Sequence, residues 1–192
     1  MKILPRDVQE ALNKQVPRTL KNDFKKTFKK EFDSLKKEMI KEFLTHPVTL
    51  EISAGPSSKN ISGTLNGTSN LFAFIGFSPG EDPIKPIIEI LERIDYKEGS
   101  GSKTGVNFLV DIPQASDIFA VTPMPWATGR SWSKGIETGI SGLGYLLNKG
   151  GKSSRSGVAI QVKNRVRSGG FSNTPYISAL LKKYENKFKK LK

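Results

Sequence analysis

Few residues in this chain of 192 have the type and spacing that chemistry requires. His46 is the single histidine and precedes Pro47, a position that suits a helix cap or a surface side chain better than a general base. A second histidine for an HExxH-type metal site is lacking. There is no cysteine, which excludes thiolate nucleophiles, disulfides and cysteine zinc sites, and fits a reducing compartment. Gly150-Gly-Lys-Ser-Ser154 invites comparison with a phosphate-binding loop, but the position that must be the first glycine of such a loop is Leu146. The stretch also follows a predicted helix, where a P-loop follows a strand, and it reads as a flexible basic loop. Two carboxylates at a suitable separation would be enough for glycosidase-type hydrolysis. Glu81 and Asp82 fall at a proposed helix start, where the helix dipole favours acids for its own reasons, and Asp111, Asp117 and Glu137 stand apart. The reading is non-enzymatic, with no catalytic residue, no metal and no cofactor.

What remains is charge. The chain carries +13, unevenly spread. Residues 47–148 sum to −3, whereas 149–192 reach +11 from twelve Lys or Arg against Glu185 alone. Like charges crowded on one segment repel, so such a segment usually meets a partner that offsets the cost. Lys163, Arg165 and Arg167, with Lys152 and Arg155 before them, are the candidate contacts to a polyanion or an acidic protein. Phosphate backbones bind such patches without sequence readout. Phe171 and Tyr176 are too sparse an aromatic set to predict base stacking.

The elements that would carry these residues follow from periodicity and punctuation. After Pro17 a helix is predicted over 18–44, its Leu20, Phe24, Phe28, Phe32, Leu35, Met39 and Phe43 forming one winding apolar stripe on a charged rod. The stripe packs either on the chain's own core or on a neighbouring subunit, and Phe24, Phe28, Phe32, Leu65, Trp126 and Trp132 are the candidate subunit contacts. Val48–Ser53 alternates like a half-buried strand, and Leu71–Phe77 reads as a strand apolar on both faces. Between them, 54–70 is rich in Gly, Ser, Asn and Thr and is expected to be an exposed, mobile loop that orders only against a neighbour. Its Asn60-Ile-Ser and Asn66-Gly-Thr read as turn chemistry rather than glycosylation sites. A helix over 83–93, strands over 106–112 and 118–122, extended chain over 122–126, a glycine-containing helix over 130–148, a strand over 157–166 with one apolar and one basic face, and a final helix over 175–188 complete the series.

The fold class expected is α+β: a long N-terminal amphipathic helix, a small, mainly antiparallel sheet of about four or five strands, and two or three further helices. Residues 1–46 form the helical segment and 47–192 an α+β domain with the loop at 54–70 and the basic segment at 149–192, together one structural unit. No run is long and apolar enough to span a membrane, and the N-terminus has no signal-peptide core.

Several strings resemble virion proteins of tailed bacteriophages, in particular neck or tail-completion proteins of the head-to-tail junction. They are Asn60-Ile-Ser-Gly-Thr-Leu65, Leu71-Phe-Ala-Phe-Ile-Gly-Phe77, Pro83-Ile-Lys-Pro-Ile-Ile88, Arg130-Ser-Trp-Ser133, Gly139-Ile-Ser-Gly-Leu-Gly-Tyr145, Ser154-Arg-Ser-Gly-Val-Ala-Ile-Gln-Val-Lys163 and Thr174-Pro-Tyr-Ile-Ser178. The similarity runs over about 18–184, with the stretch through Trp126 and Gly144 departing from the simple neck-protein pattern. The resemblance implies a non-catalytic virion subunit, made in the host cytoplasm, that forms a homo-oligomeric ring on connector or tail subunits around a channel through which DNA passes. The alternative reading is a sequence-independent nucleic-acid-binding protein that uses the basic C-terminal segment. Neither involves a membrane.

Overall fold

The computed structural model describes residues 6–65, 70–99, 106–139 and 174–191, with side chains from residue 19 onward. Helix α1, Arg6–Thr45, is the spine. It begins earlier than predicted and runs through Pro17, which forgoes one i to i−4 hydrogen bond inside the helix instead of marking its start. From Phe28 onward the apolar stripe lies in the core: Phe28, Phe32, Met39 and Phe43 are buried and Leu35 is partly so.

Two predicted strands are helices. Val48–Ser53 belongs to α2, Pro47–Ser53, in which Pro47 occupies the first turn and the His46 ring accepts a hydrogen bond from the Val48 amide at 3.2 Å. A proline there costs nothing, because the first N–H groups of a helix have no intrahelical partner. The apparent alternation dissolves into a helical face that buries Val48, Thr49 and Ile52 and leaves Leu50 exposed. Leu71–Phe77 contains α3, Leu71–Ile75, capped by the Asn70 side chain, which accepts from the Ala73 amide at 2.8 Å, and closed by Gly76 in the left-handed region. Gly76 is required on two counts: its φ is 90°, and a Cβ there would lie 3.2 Å from the Trp126 ring.

Of the loop expected over 54–70, the segment 54–65 mixes exposed and half-buried residues and ends in the buried Thr64 and Leu65, while 66–69, with Asn66, lie outside the described residues. After a 3-10 turn at Gly55–Ser57 it wraps around Glu51 of α2, a fully buried carboxylate. Asn60 Nδ2 donates to both Glu51 oxygens at 2.9 and 3.2 Å, the Ser62 amide to Oε2 at 2.8 Å and the Leu71 amide to Oε1 at 2.7 Å. Asn60 Oδ1 in turn accepts from the Leu65 amide, so Asn60 does serve as turn chemistry. Leu65 and Thr64 are buried.

Beyond α4, Lys85–Glu92, strands β1, Asp95–Glu98, and β2, Phe108–Asp111, form an antiparallel hairpin. Its inner face lays Tyr96 and Phe108 on α1, with Phe108 stacked on Phe28 at 3.8 Å between centroids and Tyr96 edge-on to both Phe28 and Phe32. The predicted strand over 118–122 is instead helix α5, Ala115–Ala120, whose start is capped by Asp117 accepting from the Gln114 amide. Strands β3, Pro123–Met124, and β4, Ala127–Ser131, form a second antiparallel pair. Of the helix predicted over 130–148, Arg130 and Ser131 belong to β4, helix α6 covers Trp132–Thr138 and closes at Gly139, and 140–148 lie outside the described residues. Helix α7, Ile177–Phe188, returns along α1 with Leu180, Leu181, Tyr184 and Phe188 inward.

The architecture is thus α+β. Its four described strands are split into two two-stranded sheets, and one core runs from α1 to α7. A two-stranded hairpin is marginal alone, so helix packing supports each pair. Among the described residues no helix is long and apolar enough to cross a membrane.

Candidate functional site

The carboxylates raised by the sequence do not converge. Glu81 accepts from the Ser78 amide, Asp82 from the Ile84 and Lys85 amides at the start of α4, and Asp117 from Gln114. Glu137 holds the start of α7, accepting the Ser178 amide and hydroxyl, each at 2.6 Å. Among the described residues no three His, Asp or Glu side chains gather as a metal site. These acids act on backbone N–H groups, a use that needs no spacing between them and so left no motif.

His46 is a cap. Its ring is tilted on Tyr176, hydrogen-bonds the Pro175 backbone and accepts from Val48 through Nδ1, which requires the neutral form. Burial pushes its pKa below the usual 6.5, with the Pro175 bond and Glu42 opposing. The folded form therefore binds a proton less readily than the unfolded one. Its contribution to stability is full above pH 6.5 and is lost as pH falls through the depressed folded value. Urea unfolding between pH 7.5 and 5 is expected to show this loss, and His46→Asn, which keeps a cap without a proton to gain, is expected to remove it. A second loss, from Glu42 and Glu38, begins only below 4.5, because hydrogen bonds from Lys183 and Lys187 respectively hold those carboxylates below that value.

The polar partners of α1 pin its C-terminal half. Lys36 donates to the carbonyls of Glu92 and Ile94 where α4 ends, Lys187 reaches Glu38, and Lys183 and Tyr184 both reach Glu42 at 2.7 Å. Tyr184 keeps its proton well above the usual phenolic range, because it is desolvated and donates to Glu42. Toward the N-terminus Lys25 reaches Glu98 on the hairpin at 2.6 Å.

Beyond that tie the apolar stripe continues but its cover does not. Leu20 and Phe24 are 52% and 53% exposed, against 4% for Phe28 and 2% for Phe32, one and two turns further along the same stripe. From Phe28 back to Arg6 the helix covers about 33 Å at 1.5 Å per residue. Of the six subunit-contact candidates, Phe24 alone remains a large exposed hydrophobic. Phe28, Phe32, Leu65 and Trp132 are spent in the chain's own core. Trp126 is half-buried against Gly76 and donates its indole N–H to the Ile75 carbonyl at 2.7 Å. Leu20, in the same stripe, belongs beside Phe24. The basic candidates Lys152, Arg155, Lys163, Arg165 and Arg167, with the strand predicted over 157–166, lie outside the described residues.

The chain matches no protein-family model, no curated protein and no solved structure.

Proposed function

We propose that this chain is a non-catalytic assembly subunit that associates with copies of itself through the uncovered end of α1, in the manner of a ring subunit at the head-to-tail junction of a tailed phage. The observation that carries this reading is the continuation of one apolar stripe from the core to the exposed Leu20 and Phe24. A helix that needed only its own core would be polar over its last uncovered turns; one that keeps a leucine and a phenylalanine in register has a second surface to cover. The phage setting rests on the sequence strings that resemble neck and tail-completion proteins, and connector or tail subunits are then the further partners.

Light scattering of the wild-type chain from about 1 μM to several hundred μM is expected to give a mass that rises with concentration. Burying the exposed halves of Leu20 and Phe24 is worth about 2–3 kcal/mol per interface. Leu20→Gln with Phe24→Gln should therefore weaken association by roughly 30- to 150-fold. A wild-type chain that stays monomeric over the whole range contradicts the proposal, as does a variant that associates like the wild type.

A further inference from the structure

We infer that the neighbour's receptor for the free end of α1 is the groove at the opposite end of the same helix, so that copies join head to tail. The inference rests on the assembly reading above and names its second surface. The groove, about 420 Å³, lies where α1 ends over α2, α3 and the start of α4, and is lined by Leu44, Ile52, Phe72, Ile84 and Ile88. Its lip carries Glu81 and Asp82, both exposed, and Leu44 is 39% exposed above the floor.

Three features match this groove to the free helix end of a second copy. The first is chemistry: an apolar floor suits Leu20 and Phe24, and partially filled pockets of this size commonly take one or two such anchors. The second is charge. Residues 19–30 carry five lysines against Asp23 alone, one of them, Lys25, being paired with Glu98, while the groove's lining includes two carboxylates, Glu81 and Asp82. Among the described residues the carboxylates accept backbone amides of their own turn and pair with no cation, which leaves their charge to face a cationic partner. The third is geometry. Phe24 and Leu44 stand on one continuous helix, twenty residues and so about 30 Å apart. The free end therefore cannot fold back into its own groove, whereas the free end of a second copy can reach it. An interface made from two different patches repeats from copy to copy and gives a ring where the rotation closes.

The experiment uses two variants of the full chain. Leu44→Lys with Glu81→Lys spoils the groove and leaves the helix end intact; Leu20→Gln with Phe24→Gln does the reverse. Native mass spectrometry is expected to show oligomers for the wild type, monomers for each variant alone, and a one-to-one heterodimer on mixing, since the mixture holds one intact helix end and one intact groove. Glu81→Gln keeps an acceptor for the Ser78 amide and removes only charge, so it guards against misfolding; its association should weaken roughly three- to tenfold at low salt and match the wild type at high salt. A groove variant that is folded and assembles like the wild type overturns the inference while the assembly reading stands. Monomeric variants that fail to pair on mixing overturn it too. A wild-type chain that is monomeric throughout overturns both.

Discussion

Glu51→Gln is expected to lower folding stability by about 2–3 kcal/mol, and Glu51→Ala by about 3–5 kcal/mol. The carboxylate is buried among N–H donors, with Asn60, Ser62 and Leu71 all directed at it, and none of its partners among the described residues is a cation. Each oxygen accepts a backbone amide at under 3 Å, so either orientation of a glutamine amide sets an NH₂ group against an N–H. Alanine removes the acceptor of the Ser62 and Leu71 amides, and a buried donor left unmet costs about 1–3 kcal/mol. At this chain length the glutamine variant should melt about 5–10 °C lower. Denaturant unfolding checks the energy, and hydrogen exchange checks the location: the amides of Ser62 and Leu71 should lose protection first. A stability change under 1 kcal/mol would mean that the segment 54–65 does not depend on Glu51.

Phe28→Ala should cost about 3–5 kcal/mol, the range for truncating a buried aromatic side chain. Phe28 is the first fully covered residue of the stripe, and it holds the β1–β2 hairpin by stacking on Phe108 and by meeting the edge of Tyr96. The hairpin has four paired positions and no third strand among the described residues, so losing this ring leaves it leaning on the Tyr96–Phe32 contact and the Lys25–Glu98 pair. Phe28→Leu, which keeps most of the volume, should cost about 1–1.5 kcal/mol. Near-ultraviolet circular dichroism follows the aromatic cluster. Equal losses for the alanine and leucine variants would argue that filled volume at this position does not matter.

The long helix was legible because its signal is long: seven apolar residues at spacings of three and four leave little choice of period. The same rule misled over the short apolar runs. Val48–Ser53 and Leu71–Phe77 are too brief for periodicity to separate strand from helix, and the deciding information lay in their flanks, in His46-Pro47 before α2 and in Asn70 and Gly76 around α3. Ile118–Thr122 was decided in the same way, by the Gln114 and Asp117 cap. The ties of the loop at 54–65 were illegible for a different reason. Its Ser, Asn and Thr residues look solvated, and only the tertiary placement of Glu51 inside them turns polar composition into order. Strand β1, Asp-Tyr-Lys-Glu, carries three charges in four residues and is a strand only because β2 pairs with it and Phe28 covers Tyr96. Of the candidate site, Phe24 could be read from the stripe, but not that the cover stops just before it. That depends on where the hairpin ends.

Residues 19–27 of α1 are mostly exposed in the single chain, Leu20 and Phe24 among them, and in the proposed assembly a neighbour covers them. Hydrogen exchange on the same wild-type protein at about 1 μM and at several hundred μM tests it at the residues concerned. Exchange at 19–27 is expected to be at least about tenfold slower in the concentrated sample, with 28–43, whose apolar stripe already packs on the chain's own core, little changed. Equal exchange at 19–27 in both samples, whether or not the mass rises, would contradict it.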